Sequence, residues 1–227
     1  MNATLHRLPS HPARMEKLLA AVKKVGVSDP AVLGAMAKIP RELFLSPSLA
    51  AQAYDDLCLP IGEQQTISMP SVVGKMTAAL GLKGREKVLE IGTGCGYQAA
   101  VLAKLCGRVY TIERHAPLQR AAVQRLGQMG IHNIVPKVGD GTLGWPEQAP
   151  FDAIIVTAAG PKVPEALVAQ LKEGGVLVIP VGPQETQQTL VKVTKLAGGK
   201  LQEELLGPVT FVPLIGAQGA APTRARA

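Results

Sequence analysis

From Lys87 onward the chain alternates between short, almost wholly apolar runs and segments whose apolar residues return every three or four positions. The runs at 87–91 (KVLEI), 108–113 (RVYTIE), 134–138, 151–157 (FDAIIVT) and 176–180 (VLVIP) read as buried strands. Between them the pattern predicts helices over 97–106, over 117–129 with a stop at Gly130, and over 164–171. Strand and helix in strict alternation imply an α/β fold, a parallel sheet with helices on both faces. Residues 189–195 and 201–212, separated by Ala197-Gly198-Gly199, read instead as an antiparallel hairpin. A parallel sheet ending in such a hairpin departs from the dehydrogenase plan.

The first eighty residues look different. Apolar positions at Met15, Leu18, Leu19, Val22 and Val25 form a helical stripe, and Ser28-Asp29-Pro30 opens a second helix through Ala37. The stretch 41–59 is mixed, with a turn signal at Ser46-Pro47. Residues 1–14 have no periodicity and are expected to form a flexible arm. Residues 15–80 are expected to be a helical cap with a substrate and cofactor loop, and 81–216 the α/β core. The small, polar and basic tail, 217–227, is expected to be disordered.

Composition narrows the class. A chain of 227 residues, 47% hydrophobic and 18% charged, suffices for one substantial core. Its net charge of +7 favours anionic partners without choosing among them. The basic residues are dispersed, with Lys23-Lys24 the longest run before the tail, and aromatics do not interleave with them, so no nucleic-acid partner is expected. No apolar run approaches the ~20 residues of a spanning helix, and no membrane role is expected. Cys58, Cys95 and Cys106 lack metal-ligand spacing, so no metal is expected and each reads as a small buried hydrophobe. With no secretory apolar segment at the start, a reducing cytoplasm is the expected compartment. The oligomeric state is not legible, and a monomer is the working expectation.

The candidate chemistry lies at the strand ends. The first strand of the core runs into Glu90-Ile91-Gly92-Thr93-Gly94-Cys95-Gly96, a loop that lets a ligand approach the backbone. A dinucleotide loop, G-x-G-x-x-G, needs glycine at position 97, which here is Tyr97. Glu90 would repel a pyrophosphate and attract a cationic ligand, and S-adenosyl-L-methionine is such a ligand. Glu113 follows the loop by about twenty residues, the spacing at which a carboxylate accepts hydrogen bonds from ribose hydroxyls. Asp140-Gly141 ends the third strand, and an acid there suits an adenine amino group. This arrangement resembles the Rossmann-like class of S-adenosylmethionine-dependent methyltransferases.

The acceptor is marked upstream. An Asn/Asp-Pro-Pro-aromatic turn, used to methylate nucleic-acid amino groups, is replaced here by Thr157-Ala158-Ala159-Gly160, and no cysteine follows a proline as cytosine C5 methylation needs. The segments Ala53-Tyr54-Asp55-Asp56, Leu59-Pro60-Ile61-Gly62 and Gln65-Thr66-Ile67-Ser68-Met69-Pro70 are similar to the signature of protein-L-isoaspartate O-methyltransferases. Pro40-Arg41-Glu42-Leu43-Phe44 and Phe211-Val212-Pro213-Leu214 match further segments of that family. The resemblance spans about residues 15–215.

It implies methyl transfer to the free α-carboxylate of L-isoaspartyl residues and, less well, D-aspartyl residues in proteins and peptides. The ester then closes to a succinimide. It also implies that Ser68 is the catalytic residue, orienting the acceptor carboxylate. Gln65, Thr66, Ile67 and Ser68 would line the cofactor together with Glu90, Gly92, Thr93, Gly94, Glu113, Asp140 and Gly141. Ser68 and the backbone of Val212, placed in the last strand, would contact the substrate. Pro70 and the apolar stripe that follows also allow Ser68 to be a helix cap. Two other readings stay open: a methyltransferase of the same fold acting on a small molecule or RNA, and a silent cofactor-binding scaffold for acidic partners.

Overall fold

The computed structural model describes residues 12–183 and 186–221. Five strands run parallel: β3 (Lys87–Ile91), β4 (Arg108–Glu113), β5 (Ile134–Val138), β6 (Phe151–Val156) and β7 (Leu171–Val181). They join antiparallel β8 (Gln188–Lys195) and β9 (Leu201–Val209) in one sheet of order β5-β4-β3-β6-β7-β8-β9. The strands lack polar alternation because both faces are covered. Val88, Val109, Ile155 and Val178 pack on one side with Met76 and Leu80, which belong to α3 (Pro70–Leu80). Leu89, Ile112, Ile154 and Leu177 pack on the other with Leu167, which belongs to α6 (Glu165–Ala169).

The cap contains α1 (Pro12–Lys24), α2 (Pro30–Ala37) and a short 3-10 turn, Arg41–Phe44. In α2, Asp29 accepts the Ala31 N–H at 2.8 Å with Pro30 in the first turn, as Ser28-Asp29-Pro30 implied. The α1 stripe buries Met15, Leu18 and Val22.

Several boundaries move. The first helix begins at Pro12, where proline costs no hydrogen bond, so 12–14 belong to it and not to the expected arm; 1–11 lie outside the described residues. Between 59 and 67 the cap is not helical. Strands β1 (Leu59–Gly62) and β2 (Gln65–Ile67) form a separate two-stranded hairpin. Its turn residues Glu63 and Gln64 both have positive φ, 50° and 56°. Such turns normally carry Asn-Gly, so the sequence held no turn signal there.

Helix α4 (Tyr97–Leu102) is shorter than the predicted 97–106, and α5 (Ala116–Gln128) is displaced by one residue at each end. β7 starts five residues earlier than predicted, at Leu171, through a register shift against β6. β9 stops at Val209, so Val212 lies beyond the last strand and not in it. Beyond Ala217 the chain stays attached: the Ala217 N–H donates to Asp140 at 2.7 Å, and Gln218 contacts both Thr142 and Ala166. These side-chain acceptors explain why a small, polar sequence is held there; residues 222–227 lie outside the described set.

Candidate active site

Strand order reverses between β3 and β6, and open α/β sheets bind ligands at such a point, beyond the carboxyl ends of the strands. The chain leaves β3 through Gly92, Gly94 and Gly96, with φ of 95°, 53° and 93°. Gly92 is required twice. Its φ suits only glycine, and a Cβ there would stand 2.3 Å from Thr157 Oγ1. Thr157, at the end of β6, donates its hydroxyl to the carbonyls of Ile91 (3.0 Å) and Gly92 (2.8 Å). The glycine loop is thereby braced on the switch point.

Glu113 braces it from β4. One carboxylate oxygen accepts the Gly94 N–H and the other the His115 N–H, both at 2.9 Å. Each oxygen keeps a further lone pair, so the carboxylate still has acceptor capacity on the cleft wall. The cleft is open to solvent, with about 830 Å³ of free space counted out to its mouth. Gly92, Thr93, Gly94 and Glu113 form one wall, Gln65, Thr66, Ile67 and Ser68 the second, and Val212 to Ile215 the third. Ser68 does not cap α3: Met69 holds the N-cap position and no side chain caps there. The structure therefore brings together most of the residues that the sequence singled out.

Two of the acids sit elsewhere. Glu90 does not line the cleft; it is fully buried behind it, accepting a hydrogen bond from the Thr111 hydroxyl. Thr111 Oγ1 in turn lies 2.6 Å from Thr93 Oγ1, so Glu90 reaches the cleft only through two hydroxyls. Burial pushes its carboxyl from 4.5 up to about 8, against the Thr111 hydrogen bond and with help from the Glu113 charge. The acid is neutral at pH 7 in this state. The expected direct attraction of a cationic ligand by Glu90 is thus corrected: the acid stands behind the cleft wall and carries no charge to offer there. Because the folded value lies above the unfolded one, the neutral form's stabilisation is complete below 4.5 and is lost as pH rises through about 8. Glu90→Gln keeps the shape without ionising, so its melting temperature is expected to fall less than the parent's between pH 5 and 8. Parallel melting curves across that range would contradict this.

Asp140 also stays off the cleft wall. Its Oδ1 accepts from the Thr142 N–H (2.8 Å) and hydroxyl (2.7 Å), and its Oδ2 from the Ala217 N–H. Burial opposes its ionisation, but these hydrogen bonds and the Arg114 charge outweigh it and hold the carboxyl below its usual range. The acid expected at an adenine instead anchors the C-terminal segment. Gly141 does line the cleft, and a Cβ there would meet Ile91 Cγ2 at 2.3 Å. The Val212 carbonyl accepts the Ala159 N–H at 2.8 Å, which leaves it one lone pair and leaves the Val212 N–H for a ligand.

His115 was not singled out from the sequence. It lines the cleft, and its Nδ1 lies 3.6 Å from Glu63 at the hairpin tip. Its position two residues after Glu113 was the available signal. Cys95 and Cys106 are buried as expected, whereas Cys58 is exposed. Among the described residues no His, Cys, Asp or Glu cluster has the geometry of a metal site.

A glycine loop, a braced acid at the second strand end and a sheet closed by an antiparallel pair define a Rossmann-like methyltransferase. The family model described as protein-L-isoaspartate(D-aspartate) O-methyltransferase matches residues 13–219, and the chain belongs to that family. A protein-L-isoaspartate O-methyltransferase of Rhodospirillum rubrum is 53% identical over 91% of this chain and 94% of its own length. One from Trichlorobacter lovleyi is 55% identical over 86% and 89%. A solved protein-L-isoaspartate O-methyltransferase superposes with a TM-score of 0.81 at 34% identity, covering 90% of this chain and 67% of its own. A Plasmodium falciparum structure in complex with S-adenosyl-L-homocysteine shares the fold, with a TM-score of 0.77 at 24% identity over 88% of this chain and 98% of its own.

Proposed function

We propose that this protein transfers a methyl group from S-adenosyl-L-methionine to the free α-carboxylate of L-isoaspartyl residues, and less well to the free side-chain carboxylate of D-aspartyl residues, in damaged proteins and peptides. The observation that carries the reading is the convergence of Gln65–Ser68 with the glycine loop and Glu113 on one cleft, in a chain of this family. The cleft fits the cofactor. Glu113 has acceptor capacity for a ribose diol, and Gly92 and Gly94 leave room beside the backbone; the glycine loop itself carries no lysine or arginine, and Arg114 stands on the wall beside Glu113. When bound, the cofactor supplies a methyl group on a sulfonium.

The residues need only bind and align. An α-carboxylate has a pKa near ~3.5 and is ionised at neutral pH, so no general base is required. Ser68 donates its hydroxyl to one carboxylate oxygen and leaves the other facing the methyl group. The Val212 N–H binds the substrate main chain, which makes recognition tolerant of sequence. Alignment of this kind is worth ~7–11 kcal/mol. Excluding water from the cleft favours a step in which an anion and a cation neutralise each other. The ester then closes to a succinimide without the enzyme and reopens partly as normal aspartate. The enzyme acts in the cytoplasm, as a monomer, on proteins and not on nucleic acids; no described helix is long and apolar enough to cross a membrane.

Glu113→Ala removes the diol acceptor and frees the Gly94 N–H. Charged hydrogen bonds are worth ~1.5–3 kcal/mol, so cofactor affinity by calorimetry is expected to fall roughly ten- to hundredfold. Unchanged affinity would refute the contact. The reaction itself is tested with tritiated cofactor and paired peptides, one isoaspartyl and one aspartyl. Label is expected on the first alone; equal label on both, or none on either while cofactor binds, rejects the proposal.

A further inference from the structure

Arg41 is fully buried, yet only one of its donors has a partner: Nη2 donates to the Leu57 carbonyl at 3.1 Å. Nε and Nη1 have none among the described residues, and no carboxylate lies within salt-bridge distance. A guanidinium stays charged in a protein, and a buried charge with unmet donors opposes folding. Replacing such a group by an apolar side chain of similar volume is commonly neutral or stabilising. Stability therefore does not explain this arginine.

Its contacts suggest what does. The guanidinium carbon stands 5.1 Å above the Tyr97 ring, and Tyr97 is the first residue of α4, directly after the glycine loop and on the cleft wall. Phe44, from the same turn as Arg41, meets the same ring edge-on at 5.3 Å. Leu57 lies two residues before the hairpin that carries Gln65 to Ile67. One residue earlier, Asp56 accepts the Ser71 N–H at 2.8 Å, tying the same segment to the start of α3. The hairpin is not part of the main sheet, so its placement depends on such side-chain contacts. Ile61 of the hairpin lies directly against Gly94, and Arg41 adds a buried polar link between the segment leading into the hairpin and the residue that follows the glycine loop.

We propose that Arg41 is a positioning residue: its guanidinium, stacked on Tyr97 and bonded to the Leu57 carbonyl, sets the hairpin and Ser68 against the glycine loop. It does not touch the reacting atoms. The turnover readout rests on the reaction proposed above; a second readout does not.

The test is Arg41→Met, which keeps length and apolar contact and removes the charge and its hydrogen bond. Its melting temperature is expected to equal or exceed the parent's. Amide hydrogen exchange over residues 59–68 should quicken at least tenfold while the β3, β4 and β6 amides stay unchanged. Turnover on the isoaspartyl peptide should fall at least tenfold, since small misplacements at a reacting centre cost as much as ~100-fold. Cofactor affinity should fall clearly less than turnover, because the glycine loop and Glu113 hold the cofactor without Arg41 and the hairpin supplies only one wall. Arg41→Lys, which keeps a charge and one donor but not the planar stack, should fall between the two.

Parental exchange and turnover in Arg41→Met, or a lower melting temperature with parental turnover, would overturn the proposal. If Arg41→Met does not fold, Arg41→Lys with parental exchange and turnover would do the same. A parent chain that leaves the peptide unmethylated rejects the reaction, and hydrogen exchange still decides the role of Arg41.

Discussion

Ser68→Ala is expected to lower turnover on an isoaspartyl peptide about 100-fold while cofactor affinity changes little. Ser68 stands at the end of the hairpin wall, half-buried on the cleft, and does not cap the helix that follows. Losing the hydroxyl leaves the cleft its shape and the acceptor its charge. What is lost is the direction in which the carboxylate presents its oxygen, and an orientation error at a reacting centre is worth ~100-fold. Single-turnover kinetics with saturating cofactor separate the two effects. Equal losses in turnover and cofactor affinity would mean that Ser68 is part of the cofactor wall and does not orient the acceptor.

Gly92→Ala should be worse, and for a different reason. At φ 95° an alanine incurs ~1–2 kcal/mol of backbone strain. Its Cβ would also displace Thr157 Oγ1, from which it would stand 2.3 Å. Overpacking of that kind costs a further ~1–3 kcal/mol. The loop is expected to move, and cofactor affinity to fall at least 100-fold with a stability loss of ~2–5 kcal/mol in denaturant titration. Adding Thr157→Ala relieves part of the clash but none of the strain, so affinity should return only in part. Parental affinity in Gly92→Ala would show that this glycine is dispensable.

The core was legible because its strands are buried on both faces. Runs such as KVLEI and FDAIIV carry no alternation to confuse the reading, and Gly92 marks where the first of them ends. The register shift that lengthens β7 leaves no such mark. The hairpin over 59–67 was not legible as strands because Glu63 and Gln64 make its turn without glycine or asparagine. Its residues nonetheless carried the family signature, so Gln65 to Ser68 were singled out together, and they share one wall of the cleft in an element the sequence did not reveal.

Among the acids, position along the chain was readable and direction was not. Glu90, Glu113 and Asp140 all stand at or beside strand ends. Glu90 turns into the protein toward Thr111, and Asp140 turns toward the C-terminal segment. That choice is made by partners distant in sequence. Arg41 was quoted only as part of a family segment, since its role depends on Leu57 and Tyr97 meeting it in space.

The central claim is that a backbone rerouted through an aspartyl side chain leaves one ionised carboxyl group free, and that this cleft methylates that group and not the side chain of a normal L-aspartyl residue. Mass spectrometry of an isoaspartyl peptide, quenched in acid early in the reaction, locates the methyl group directly. One methyl on the α-carboxyl of the isoaspartyl residue is the predicted result. A methyl on the peptide's C-terminus, on a normal aspartyl side chain or on a nitrogen would contradict it.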